Sequence, residues 1–344
     1  MSEDALFLRH FMGDRPGGSG AGQSMSNSPD IILTGTKPVP VGELATPKSY
    51  ETEPPDTMIV GSGETNYIYV RALNAGAEQV GGRLWLWYAE PGLLLWPQSW
   101  KHKEFSVNGT GQNWADVTAG PNQITVANAF ELVDPSPPLD HYAMIAMSQS
   151  PVSQDPEPPF PGHFTSVQEF ALWIQTNPNA AWRDTVDLPA GKSTWSYGVP
   201  IQGPSDAEQL NIGLQLKNMP VGSRYSFTIP GGKTLDGEEW QPVQVSPRTV
   251  QQPDENVMVR VQWPGGVNTA MTVTWWAEGT TPGPGATIEP VVGIEALQLE
   301  GQAEDPLRGS VEMVLHEDAD DVTGGRPVLM RIIGGMSIRL RGEG

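Results

Sequence analysis

Thr65-Asn66-Tyr67-Ile68-Tyr69-Val70-Arg71-Ala72-Leu73 is the stretch that decides how this chain reads. Ile68, Val70 and Ala72 fall on one side of an extended backbone, and Tyr67, Tyr69 and Arg71 on the other. That period of two belongs to a strand and not to a helix. Asn74-Ala75-Gly76 then ends it with turn chemistry. The same alternation returns at residues 210–216, 225–229, 257–263 and 271–275, with Trp276 pointing outward from the last of these. Arg83 to Tyr88 is apolar on both faces, Trp85 and Trp87 opposing Leu84 and Leu86, which predicts a central or covered strand.

Composition agrees with a chain of short strands. The 344 residues suffice for two domains, and 39 glycines with 33 prolines suit many turns while excluding a helical bundle. A net charge of −20, from 40 acids and 20 bases, repels phosphate backbones and anionic membrane surfaces, so no nucleic-acid partner is expected; the acid excess reads first as keeping an aromatic-rich chain in solution, with a basic partner surface as the alternative. The absence of cysteine excludes thiolate zinc, iron–sulfur clusters, thiol catalysis and disulfides. No run approaches the ~20 apolar residues of a membrane-spanning helix. Residues 1–14 carry acids and no apolar run of signal-peptide length, so the expectation is synthesis in the cytoplasm, with non-classical release or assembly into a particle.

The fold expected is all-β: two immunoglobulin-like antiparallel β-sandwiches, a short helix in the first, and a small C-terminal β extension. Residues 1–28 read as a flexible peptide and tether, 29–188 as the first sandwich and 192–280 as the second. Residues 287–344 read as an extension packed on the second domain or on a partner. Ser166 with Glu169 forms a capping box, which predicts a helix over 166–176 with Phe170, Trp173 and Ile174 on one face.

Ser28-Pro29-Asp30-Ile31-Ile32 followed by Asn66 to Gly76 resembles the bacterial cell-adhesion-related, immunoglobulin-like domains, which open on a "PDI/PDL" strand and carry a later "YVRVRNxG" strand and turn. Residues 84–89, 141–146 and 179–184 continue the likeness, which covers about residues 29–188. The resemblance implies a scaffold, spacer or binding unit of secreted or surface proteins, and it implies no catalytic residues.

Three places carry candidate chemistry. Trp96, Trp100 and Trp114 sit in a turn-rich region, where exposed indoles would bind a glycan or a protein; tryptophans that plug the end of a sandwich are the commoner case. Leu6, Phe7 and Phe11 form an apolar patch that would dock on a protein partner, against the plainer reading of a disordered end. Asp318, Asp320 and Asp321 offer carboxylates to calcium, against a solvated acidic hairpin; no other cofactor is implied. The five histidines include no i, i+4 pair, His141 reads as structural, and neither a G-x-S-x-G elbow nor a P-loop is present.

The function that fits is a non-enzymatic structural or binding module, a component or cargo of a larger bacterial or phage assembly with a protein partner or self-assembly. A secreted toxin or lectin-like protein recognising host glycans is the alternative. A hydrolase with an inter-domain site is the third reading.

Overall fold

The computed structural model describes residues 6–16, 26–60, 63–133, 141–150, 162–177, 179–189, 191–234, 236–296, 310–316 and 325–341. The chain is all-β, and the strands read from alternation are present, the first of them spanning Thr65–Asn74. In chain order the first sandwich consists of β1 (Leu6–Phe7), β2 (Ile31–Thr34), β3 (Asp56–Thr57), β4 (Thr65–Asn74), β5 (Val80–Ala89), β6 (Phe105–Val107), β7 (Trp114–Ala119), β8 (Ile124–Val126), β9 (Phe130–Val133), β10 (Ala143–Gln149) and β11 (Ala180–Arg183). One sheet runs β3-β2-β4-β9-β6, with β1 and β8 also on β4; the facing sheet runs β11-β10-β5-β7. Ile68, Val70 and Ala72 meet Leu84, Leu86, Met144 and Ala146 between them.

The other face of β4 is covered as well. Two single-turn helices, α1 (Val41–Leu44) and α2 (Pro47–Tyr50), lie over it. Tyr69 packs with Ile32 and Leu44, and Arg71 is fully buried with Asp30 at 3.0 Å. Arg9 shares the same carboxylate and stacks 3.4 Å above the Tyr50 ring. Burial lowers the Arg71 guanidinium against the pull of Asp30, and burial pushes the Tyr50 phenol up.

This arrangement corrects the expectation for the N-terminal patch. Leu6 and Leu8 are fully buried in the first core, and β1 pairs with the end of β4 through Leu6↔Asn74 and Phe7↔Leu73. Ser148 donates its hydroxyl to the Leu6 carbonyl at 2.6 Å. Gly82 leaves room for Leu6, since a Cβ there would collide with the leucine side chain. The patch is apolar because it completes its own sandwich: Leu6 is buried in the core, and Phe7 and Phe11 are half-buried at its edge.

The helix start is as read, with the Glu169 carboxylate accepting from the Thr165 N–H one residue before the cap. Helix α3 spans Val167–Thr176, and the Ser166 hydroxyl accepts the Glu169 N–H. The remaining strands are β12 (Thr185–Pro189), β13 (Thr194–Gln202), β14 (Glu208–Lys217), β15 (Arg224–Ile229), the hairpin β16 (Gly232–Lys233) and β17 (Glu239–Trp240), β18 (Val243–Thr249), β19 (Glu255–Trp263), β20 (Asn268–Trp276), β21 (Thr287–Glu295), β22 (Ser310–His316), β23 (Arg326–Gly335) and β24 (Ser337–Arg341). The second sandwich sets the sheet β13-β20-β15-β18 against β12-β24-β21-β14-β19-β22-β23. Its edge strands β13 and β18 carry Pro200 and Pro247, positions where no ladder donor is missed.

Two features go beyond what the sequence suggested. The strands after residue 287 are built into the second sandwich: β21 pairs with β14 from Asn211↔Gly293 to Lys217↔Thr287. From there β23 pairs with β21 and β22, and β22 runs parallel to β19, so that β14-β19-β22-β23-β21 closes on itself. Leu210, Ile212, Leu214 and Leu216 face the sandwich core, while the opposite face of these strands lines a separate small core of Met258, Val291, Met313, Leu315, Val328, Met330 and Ile332. The pairing is therefore mixed and not wholly antiparallel. The second feature is β12, assigned by sequence to the first sandwich, which runs parallel to β24 in the second.

Candidate functional site at the junction of the sandwiches

The chain leaves the first sandwich at β11 and enters the second at β12 with one residue, Asp184, between them. Alternation along β5 explains what meets there. Leu84, Leu86 and Tyr88 face the first core, whereas Trp85, Trp87 and Ala89 face away, into a continuous core shared with Val199, Leu210, Phe227 and Trp275 of the second sandwich. The covered strand anticipated from two apolar faces is real, and the cover is α3, the loop carrying Leu93 to Trp100, and the second sandwich.

Aromatic side chains fill this layer edge to edge. Trp85 stacks on Trp87 at 5.9 Å, Trp87 meets Trp100 at 5.6 Å, and Trp100 meets Trp173 of α3 at 6.0 Å. Trp96 lies 5.3 Å from Phe170 and donates its indole N–H to the Gln202 carbonyl of β13 at 2.6 Å. Trp100 donates to the Leu95 carbonyl. The reading of Trp96, Trp100 and Trp114 as an exposed binding surface is corrected accordingly. Trp96 and Trp100 are 4% and 8% exposed, and the half-buried Trp114 lies under the Arg83 guanidinium at 3.6 Å. These indoles are apolar and large because they glue two domains together, and a platform for a ligand needs a free ring face.

A buried polar knot accompanies the aromatic layer. The Asp184 carboxylate, fully buried, pairs through Oδ1 with His141 Nε2 at 3.0 Å and accepts the Gly92 N–H on Oδ2 at 3.1 Å. Its backbone donates to the Ser26 carbonyl and accepts from the Ser337 N–H, both at 2.8 Å. His141 Nδ1 is buried with no hydrogen-bond partner in the structure. A carboxylate that fixes an imidazole is one half of a catalytic arrangement; here every other contact of Asp184 is to backbone from three separate segments, which makes it a tie.

Asp56 is the second centre. It is 3% exposed in its side chain and faces Arg183 Nε at 2.9 Å, Arg339 Nη2, and the Thr185 hydroxyl, which donates at 2.7 Å. Arg183 belongs to the first sandwich, Thr185 and Arg339 to the second. Burial alone would raise the Asp56 carboxyl, but the charge and hydrogen bond of Arg183, helped by Arg339 and Thr185, hold it down at about 2. Arg339 also donates to Asp187 at 2.9 Å. Sequence reasoning passed over Asp56, Arg183, Asp184 and Arg339. The signal available was Arg183-Asp184 following Ala180-Ala181-Trp182, a charge pair ending an apolar strand.

Among the described residues no three His, Asp or Glu side chains converge as a metal site. Asp318, Asp320 and Asp321 lie outside the described residues. No helix among the described residues is long and apolar enough to cross a membrane.

No family model matches the chain. No curated protein matches it either. Among solved structures, CBD12 from CALX1.2 is similar at 7% identity and a TM-score of 0.18, over 82% of this chain and 94% of that one. Red sea bream transglutaminase is similar at 10% identity and a TM-score of 0.17, over 74% of this chain and 30% of that one. Likenesses this slight carry no argument, and the fold rests on the strand pairing itself.

Proposed function

We propose that the chain is a non-enzymatic structural or binding module, a rigid two-sandwich component of a larger bacterial or phage assembly. The observation that supports this reading is the junction. Its most distinctive side chains, the tryptophan layer and the Asp56 and Asp184 knots, are occupied in holding one sandwich against the other, as a spacer or scaffold requires. A linker between independent domains would leave these surfaces polar and mobile. The resemblance of residues 29–188 to cell-adhesion-related domains points the same way.

Small-angle scattering together with a turnover screen tests it. The expected outcome is a single scattering envelope matching both sandwiches in fixed register, with no turnover of peptide, ester or glycoside substrates. Turnover that disappears in His141→Ala would overturn the reading in favour of an inter-domain hydrolase, since His141 is the imidazole that a buried carboxylate holds at the junction.

A further inference from the structure

Of the twelve tryptophans, Trp276 alone neither belongs to a core cluster nor packs against one. It ends β20 on the outer face of the sheet β13-β20-β15-β18, while its neighbour Trp275 is fully buried on the inner face. Register assembles its surroundings. Exposed Ser196 and buried Ser226 flank Thr274 on either side, so the open part of the face is the β13–β20 half, and Arg224 stands directly beside Trp276. Thr272 continues the same face one pleat further along β20. Ser196 and Thr274 hydroxyls are 2.9 Å apart and exposed. The Arg224 guanidinium lies over the Trp276 ring at 5.7 Å, well beyond the 3.6 Å at which Arg83 covers Trp114, and it pairs with Glu278 at 3.4 Å, so its charge is answered locally.

The face is thus a pleated plane of hydroxyls with one indole at its end, and it is close to neutral in a chain whose net charge is −20. Same-face positions on such a plane are spaced by ~4.8 Å between strands and ~6.7 Å along them. Hydroxyls both donate and accept, and an indole offers a flat apolar surface. We propose that this platform binds a neutral polysaccharide, one sugar ring laying its C–H face on Trp276 while successive hydroxyls exchange hydrogen bonds with Ser196, Thr274 and Thr272. A nucleic acid or an anionic glycan would meet the repulsion of the whole chain. A protein hot spot would call for more apolar area than a single half-buried ring supplies. The inference goes beyond the scaffold role and stands whether or not that role is correct.

Depletion of the full chain from solution by cellulose, chitin, β-1,3-glucan and starch granules is the test, with urea midpoints recorded for each variant. Retention on at least one of these polysaccharides is expected, weakened about tenfold or more by Trp276→Ala, the loss of one stacking contact plus its buried area. Ser196→Arg, at an exposed position on the edge strand β13, should obstruct the plane to a similar degree while leaving the urea midpoint close to that of the wild type. Retention on none of the four, or retention indifferent to both variants, overturns the proposal. So does a dimer of the wild-type chain that Ser196→Arg abolishes in mass photometry, because the platform would then be the seat of a second copy.

Discussion

Replacing Asp56 by Asn removes one charge and keeps the shape of the side chain, so it isolates what the carboxylate contributes to the junction. In the wild type this group neutralises Arg183, whose side chain is wholly buried, and Arg339, which is 15% exposed. After the substitution the anion left beside Arg183 is Glu53 at 3.7 Å, itself 53% exposed, with the Ser28 carbonyl and a neutral amide oxygen as its other acceptors. Leaving a buried cation without its partner costs roughly 3–5 kcal/mol. Linkage gives an independent figure: a carboxyl held at about 2 against an ordinary 3.8 stabilises the folded state by ~2 kcal/mol at neutral pH. Because the folded value is depressed, this stability is fully present above the unfolded pKa and is lost as pH falls through the folded one. Urea unfolding of wild type and Asp56→Asn from pH 7 to pH 3 should therefore show a constant gap of ~2–4 kcal/mol down to about pH 5. The titrating share of that gap should fall by roughly half at pH 3. A gap below ~0.5 kcal/mol at pH 7, the worth of an ordinary surface pair, would refute the assignment of Asp56 as a buried lock. So would a gap that does not narrow between pH 5 and pH 3.

The same reasoning yields three further expectations. Leu6→Ala should destabilise the first sandwich by ~2–5 kcal/mol, and removal of residues 1–9 should unfold it, in contrast to a tether whose loss costs nothing; thermal unfolding distinguishes the two. Trp96→Ala and Trp100→Ala should each cost ~3–5 kcal/mol in urea unfolding while leaving polysaccharide retention per folded molecule unchanged, the reverse of the pattern expected for Trp276→Ala. Gly213→Ala should force β14 away from β19, since a Cβ there would enter the Val257 carbonyl; amide exchange should accelerate first in β22 and β23, the strands that depend on closure of the small barrel.

Strand identity was legible in the sequence wherever one face of a strand meets a core. Leu210 to Leu216 and Val257 to Trp263 alternate cleanly and lie as read. What was illegible was the purpose of the other face. Asn211, Gly213 and Gln215 alternate with the leucines and turn toward the small barrel, with Asn211 2% exposed and Gln215 fully buried. Arg71, on the face opposite Ile68, Val70 and Ala72, is an internal counter-ion to Asp30. Polar side chains carry the same letter whether water or a partner answers them, and the partner lies 41 residues away in this pair. Long-range closure has no local period, so the β21–β23 and β19–β22 pairings left no trace, and residues 287–344 read only as an extension packed on the second domain or on a partner. The short strands β6, β9 and β11 were missed because three or four residues show too little alternation to register.

Tryptophan placement illustrates how the candidate site moved. Three of the twelve, Trp96, Trp100 and Trp114, lie near turns and offered binding loops beside the commoner reading of packing, and burial shows that nearly all twelve pack. The large indole is the cheapest way to fill a seam between two twisted sheets, because it covers much area with only two rotatable bonds. Where such a seam exists, tryptophans near it lose their value as markers of ligand contact, and the informative one is the exception. Trp275 and Trp276 are adjacent in sequence and identical in composition, so nothing but strand parity separates them: one step along the pleat carries an indole from the interior to the open face. That parity was readable at once from Met271, Val273 and Trp275. Taken with the neighbouring Thr272 and Thr274, it places Trp276 among hydroxyls without any need for coordinates. What the sequence could not say is that the remaining indoles were already spoken for, and it is their burial that turns an outward tryptophan into a candidate for recognition.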